Sequence, residues 1–466
     1  MEPTKDIENK KISSKQKKII IIIVTVIFAI YIAGVIYFQN HFLFGTKMSG
    51  KNIGGKTISA VETLLANHTK NYKLTITGRK DLKDTISGSD IDLEISLGKS
   101  IESGMKEQNP FLWFIGATGE HKNLTADISY NEKKLTKTIQ QLIFFKKENV
   151  VEPVNATVVL KKDKFVTQKE VLGTTVDKKK LTKEVTDCLP EIQTTLDLDE
   201  AKCYVSPTIY EDDDCLDKAI EQADKYADVT ITYDFDYTTE TVGKSLIQKW
   251  IVFDEEANVD LDYERVLTYI EELAEKYDTY SSIRKVKDAS GNEHTIYFGS
   301  YGWKISQTKE TKQLIKVIKK GKDVKREPIY MYEAVCRKKG NIDWDDTYAL
   351  VSIQNQSMVY IKDGEVAVSS SVVTGDITKG HGTPTGAYAV MYKERDQTLV
   401  GQNYASPVSY WMPFTTNTGF HDASWRSSFG GSIYKGNGSH GCVNMPAGNA
   451  AALYSVIEPG VPVFVY

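Results

Sequence analysis

"SMVYIKDGEVAVSSSVV", Ser357–Val373, sets two β-branched, alternating runs on either side of Asp363-Gly364. Asp-Gly is a two-residue hairpin turn, because both positions tolerate the positive φ that suits the twist of the flanking strands. "YALVSIQ" before it, and "GAYAVMY" and the terminal "VPVFVY" after it, are strand-like as well. Residues 347–466 therefore read as a mainly β domain with few helices. The chain ahead of it reads differently. "DISYNEKKLTKTIQQL" (Asp127–Leu142) pairs an aspartate and a tyrosine with an amphipathic helix, followed by a hairpin-like run and the helix of "VDKKKLTKEV". "VDLDYERVLTYIEELAEKY" (Val259–Tyr277) and "HTIYFGSYGWKISQTKETKQLIKVI" (His294–Ile318) repeat that order. The fold class is thus α+β stalk modules followed by a mainly β C-terminal domain, with modules expected at 43–210 and 211–335 and a linker at 336–346.

Ile19–Phe38, "IIIIIVTVIFAIYIAGVIYF", has no charge over twenty residues, enough for a helix to cross a bilayer. Lys15, Lys17 and Lys18 sit beside it in a tail of residues 1–18. The positive-inside rule keeps that tail cytoplasmic and puts everything after Phe38 outside. "GVIYFQN" offers no small-residue cleavage site, so the expectation is a retained single-span anchor rather than a signal peptide.

The formal net charge of -4 gives no reason to expect a nucleic-acid partner. "GKNIGGKT" (Gly50–Thr57) matches the phosphate-binding loop pattern, but that loop works between a buried strand and a helix. "FGTKMS" makes no such strand, so the motif reads as a glycine turn leading into a helix with Ile58, Val61, Leu64 and Leu65 on one face, and no nucleotide is expected.

Cys188, Cys203, Cys215, Cys336 and Cys442 are too sparse for a disulfide scaffold, and no pair has CxxC spacing. Cys442, in "GNGSHGCVNMP" (Gly436–Pro446), shares the terminal domain with His381, His421 and His440. A zinc site would need about four ligands in close pairs, which "SHGC" does not complete. Nucleophilic catalysis fits better: a cysteine attacks as thiolate and needs a base, and His421 lies 21 residues upstream. The glycines around the motif leave backbone N–H groups for an oxyanion, and the helix of "PAGNAAALYSVI" would favour the thiolate. A buried cysteine acting as a small hydrophobe is the competing reading of the pair alone.

"HDASWRSSFGGSIYKGNGSHGCVNM" (His421–Met445), with "GTPTG" (Gly382–Gly386) and "YWMPF" (Tyr410–Phe414), resembles the L,D-transpeptidases, whose catalytic domain is of the YkuD type. The stalk resembles the peptidoglycan-binding modules of membrane-anchored Gram-positive enzymes. The resemblance implies Cys442 as acylated nucleophile and His421 as general base. It further implies that the Ser439 carbonyl orients His421, with N–H groups at His440, Gly441 and Cys442 as oxyanion donors. His440 is expected to turn away from Cys442 in a supporting role. Asn444, Trp425, Trp411 and Phe414 are the candidate substrate contacts, and His381 an ordinary loop histidine. The implied reaction joins peptidoglycan stem peptides, as donor and acceptor, into 3→3 cross-links with release of D-alanine, needs no metal or cofactor, and is open to carbapenems. An L,D-carboxypeptidase, a cysteine peptidase and a non-catalytic wall-binding scaffold are the alternatives.

Overall fold

The computed structural model describes residues 13–115, 122–401 and 404–466. The chain forms two compact units, residues 1–156 with 169–211, and residues 157–168 with 212–466.

The first unit begins with the helix Ser14–Phe38, capped by Ser13 and Gln16 and long and apolar enough to span a membrane. Gly50–Thr57 holds part of the turn and the second strand of a hairpin of two-residue strands, and Thr57 caps the helix Ile58–Asn71 by accepting from the Ala60 N–H at 3.2 Å. Val61 and Leu65 of that helix pack on Leu74, Ile76 and Ile86 of a three-stranded sheet. Leu135, Ile139, Leu181 and Val185 from the helices Glu132–Gln141 and Lys178–Cys188 close the same core, which is what the apolar stripe of an amphipathic helix requires. Cys188 and Cys203 are buried, and all five cysteines are free thiols.

The second unit contains the helices Asp214–Ala227, Tyr263–Tyr277 and Gln307–Lys320 and the hairpin Arg284–Lys287/Glu293–Ile296. It also takes in the hairpin Thr157–Lys161/Lys164–Gln168, where Phe165 meets Phe253 at 5.8 Å between ring centroids and Gln248 Nε2 donates to the Asp163 carbonyl at 3.0 Å. Two buried ion pairs hold this region. Glu310 accepts from Arg326 and from the Tyr233 hydroxyl. Asp343, within the segment 336–346, receives Arg284 through both oxygens, at 2.9 and 2.5 Å, and Thr279 Oγ1 at 2.6 Å. The remaining guanidinium N–H groups of Arg284 go to the carbonyls of Thr279, Ser282 and Tyr301.

Among the described residues the C-terminal domain has nine strands: β1 Tyr348–Ser352, β2 Ser357–Lys362, β3 Glu365–Ser371, β4 Gly386–Ala389, β5 Glu394–Gly401, β6 Tyr404–Pro413, β7 Gly419–Asp422, β8 Val443–Met445 and β9 Pro462–Val465. They form a five-stranded sheet, ordered β3-β2-β1-β9-β4, and a four-stranded sheet, ordered β5-β6-β7-β8. Ala349, Val351, Met358 and Val463 of the first sheet meet Met412, Phe420, Val443 and Met445 of the second, with Leu453 of the helix Ala447–Val456. The other face of the first sheet is also covered: Leu350, Ile361, Ala387 and Phe464 pack on Val286, Ile296 and Tyr301 of the preceding module. "YALVS" is therefore almost continuously apolar because β1 is buried on both faces.

Replacing Asp343 by alanine would strand the fully buried Arg284 guanidinium. Asp343→Ala should cost about 3–5 kcal/mol, the usual penalty for breaking one side of a buried pair. Denaturant unfolding would read it, and a change within 1 kcal/mol would count against the pair as the clamp of this region.

Candidate active site

Alternation along two short strands builds the site. Phe420 of β7 and Val443 and Met445 of β8 enter the core, so His421, Cys442 and Asn444 turn to the opposite face of the sheet. β7 and β8 run parallel, with Phe420 opposite Val443 and His421 opposite Asn444. His421, Ser439, His440, Cys442 and Asn444 all line one cleft, together with Trp425, Arg426, Gly438, Leu399 and Ser406.

The loop carrying Cys442 is pinned from both sides. Ser439 donates its hydroxyl to the Cys442 carbonyl at 2.5 Å and accepts from the Gly441 N–H at 3.0 Å. Its backbone N–H goes to the Thr374 carbonyl, and its own carbonyl accepts from the Asp376 N–H at 2.9 Å. Thr383, in "GTPTG", donates to the Gly441 carbonyl at 2.7 Å while accepting from the Gly375 N–H. Gly441 has φ 126°, a conformation that a side chain would strain.

His421 is buried, and its Nδ1–H donates to the Asp422 carbonyl at 2.8 Å. A carbonyl only accepts, so this bond fixes the tautomer and leaves Nε2 with a lone pair. The carbonyl that His421 meets is that of Asp422, whereas the Ser439 carbonyl accepts from the Asp376 N–H. The Asp422 carboxylate is buried too, accepting from the N–H groups of Ser409 and Tyr410 at 2.8 and 2.9 Å, and so it braces β7 against β6. Gly441 likewise spends its N–H on Ser439. The Cys442 N–H is committed to no acceptor among the described residues.

Burial governs the electrostatics. Cys442 packs against Val408 and Trp411, and desolvation pushes its thiol up to about 11. Desolvation also moves His421 below the ordinary histidine value. Both shifts disfavour charge, so the resting pair is thiol and neutral imidazole, and any pull from the helix beginning at Ala447 is outweighed.

Other expected residues fall in different places. Phe414 lies in the core between the sheets, 5.1 Å from Phe420 and 5.7 Å from Tyr388 between ring centroids. Trp411 stands behind Cys442, opposite His421 in register. Trp425 is half exposed on the cleft wall, 6.0 Å from the His421 ring. His440 borders the same cleft as Cys442, the chain between them turning at Gly441. Its ring packs 4.8 Å from that of His381. Leu399 and Ser406, paired across β5 and β6, were not anticipated, nor was Arg426. Arg426 donates to the carbonyls of Asn437 and Gly438 and has no carboxylate partner among the described residues. Asn444 Oδ1 is buried without a partner.

Residues 346–465 match the YkuD family model, described as an L,D-transpeptidase catalytic domain, and residues 85–197 and 213–325 each match one described as "Putative peptidoglycan binding domain". A crystal structure of an Enterococcus faecium L,D-transpeptidase, a cysteine-to-serine mutant, is 37% identical over 53% of this chain and 100% of that one, with a TM-score of 0.44. The chain belongs to the L,D-transpeptidase family. An NMR structure of the catalytic domain of an E. faecium L,D-transpeptidase, acylated by ertapenem, is 43% identical over 26% of this chain and 98% of that one, with a TM-score of 0.25. An L,D-transpeptidase from Mycobacterium tuberculosis is 23% identical over 26% of this chain and 57% of that one, with a TM-score of 0.24. The comparison with curated proteins gives no match.

In this transpeptidase the neutral resting pair has a spectroscopic consequence. The thiolate absorbance lost in Cys442→Ala should be negligible at neutral pH and appear only as pH rises toward about 11. A Cys442 thiolate already formed near neutrality would contradict the neutral pair.

Proposed function

We propose that this transpeptidase works through an acyl-enzyme on Cys442 and forms 3→3 cross-links between peptidoglycan stem peptides. The observation that carries it is the shared cleft of Cys442 and a His421 whose Nδ1 is held by the Asp422 carbonyl. That bond leaves Nε2 to take the thiol proton as the sulfur attacks the carbonyl of the third stem residue. The Cys442 N–H supports the oxyanion, an interaction worth roughly 3–4 kcal/mol in studied hydrolases. His421 then returns the proton to the departing D-alanine amine. In the second half the side-chain amine of another stem attacks the thioester while giving a proton to His421, the C–S bond breaks, and His421 passes that proton to the departing Cys442 sulfur, restoring the thiol and neutral imidazole. Water in place of the amine would make the enzyme an L,D-carboxypeptidase.

The cleft suits such a donor. Arg426 can meet a carboxylate of the stem and the Asn444 carboxamide a backbone amide, while Trp425 and Leu399 offer apolar surface. Ser439, Gly441 and His440 act by holding the loop, and Trp411 by packing Cys442 in place. Carbapenems should acylate the same sulfur. No cofactor enters the reaction.

We further propose that Ile19–Phe38 anchors the chain in a cell membrane, with residues 1–18 cytoplasmic and the catalytic domain in a wall of Gram-positive type. The apolar helix and the adjoining lysines support this topology. The modules at 43–210 and 211–335 would hold the donor glycan or peptide near the site, raising its local concentration.

Intact-protein mass spectrometry with a carbapenem, and separately with a disaccharide-tetrapeptide, tests the chemistry. Wild-type chain should gain one adduct, and the tetrapeptide should yield dimer. Cys442→Ala should gain none, and His421→Ala should acylate on the order of 10²–10⁴ times more slowly. Turnover persisting in Cys442→Ala would sink the mechanism, whereas tripeptide release without dimer would favour the carboxypeptidase.

A further inference from the structure

The segment Pro110–Ile115, "PFLWFI", is clasped against the apolar helix Ser14–Phe38 inside the first unit. Trp113 stacks on Phe38 with ring centroids 5.8 Å apart and planes 17° from parallel, and its Nε1–H donates to the Tyr31 carbonyl at 3.2 Å. Gly34 makes room for the indole: a Cβ there would lie 2.3 Å from Trp113 Cε2. The Tyr31 hydroxyl donates to the Phe111 carbonyl at 3.1 Å. Gln108 closes the base of the clasp, its Nε2 donating to the carbonyls of Phe38 and His41, both at 2.7 Å, and its Oε1 accepting from the Leu43 N–H.

Position along the helix gives the depth. Tyr31 precedes Phe38, the end of the charge-free run, by seven residues, about 10 Å at 1.5 Å per residue. Whatever touches Tyr31 therefore lies about 10 Å inside the apolar span, the depth at which interfacial segments insert. The outward side chains Phe111, Leu112, Phe114 and Ile115 are exposed, as are Ile27 and Phe28 of the helix. Four of the segment's backbone N–H groups are satisfied locally. Asn109 Oδ1 accepts from the Phe111 N–H, and the N–H groups of Leu112, Trp113 and Ile115 reach the carbonyls of Asn109, Pro110 and Leu112.

We propose that Pro110–Ile115 is a second membrane element, inserted into the leaflet at the Phe38 end of the anchor. The occupant of its apolar face is the acyl-chain and headgroup boundary of the bilayer, because that face is continuous with the surface of the anchor helix. The inference rests on the anchor reading above. Its consequence is that the first module is attached to the bilayer at two points rather than tethered by one.

The test uses the full chain in phosphatidylcholine vesicles with or without bromine on the acyl chains, which quenches tryptophan only on contact. Alkaline carbonate extraction comes first: release of the chain would refute the anchor itself. With the chain retained, brominated lipid should quench part of the wild-type emission. Trp113→Leu should lose that quenched part, and Phe114→Trp in otherwise native chain should enlarge it. Absence of quenching in carbonate-resistant protein, or equal quenching in wild type and Trp113→Leu with no gain in Phe114→Trp, would overturn the insertion and leave the face to a protein partner.

Discussion

The parallel pairing of β7 with β8 is the constraint on which the site depends. Phe420 opposite Val443 sends two large side chains into the core, and the next step of the same register sets His421 opposite Asn444 on the other face. A slip of β8 by one residue would drive Cys442 and Asn444 between the sheets, away from His421, and expose Val443 and Met445. The apolar residues thus specify the chemistry indirectly. Their burial leaves one allowed register, and in that register base and thiol share a cleft.

The same burial sets the character of the pair. A cysteine beside Val408 and Trp411 holds its proton, and a histidine almost without solvent stays neutral. Charge would have to appear during the reaction, where the hydrogen bond from Nδ1 to the Asp422 carbonyl and the Cys442 N–H are already in position. Preorganised dipoles of this kind act without reorganising at the moment of attack. Ser439, Thr383 and Asp376 supply the rigidity by fixing each end of a loop whose Gly441 takes up a conformation other residues avoid.

Much of this was legible in the chain because it is local. The Asp363-Gly364 turn, the strand runs, the helical stripes and the spacing of His421 and Cys442 are all short-range signals. What escaped depends on contacts between distant segments. Nothing near Leu399 or Ser406 announces that their hairpin forms a wall of the cleft. Phe414 and Trp425 look alike in composition, yet one fills the core and the other the cleft wall. The carbonyl that orients His421 belongs to its immediate neighbour, which only the folded position of the imidazole reveals.

The second unit shows why a charge-rich stretch such as 336–346 need not be slack. Asp343 is drawn into a buried fork with Arg284, and Arg284 begins the hairpin that covers the back of the five-stranded sheet. Leu350 and Phe464 would face water without that hairpin, so the mainly β domain completes its fold with residues from the module before it. The hairpin 157–168 is used similarly: the chain flanking it belongs to the first unit, yet it packs within the second. Within the second unit, then, the hairpin Arg284–Lys287/Glu293–Ile296 and the mainly β domain share one core. A connection made by shared cores leaves less freedom than one made by a flexible linker, because separation would expose apolar surface on both partners. The catalytic sheet is therefore held as part of a larger body whose orientation the preceding module helps to set.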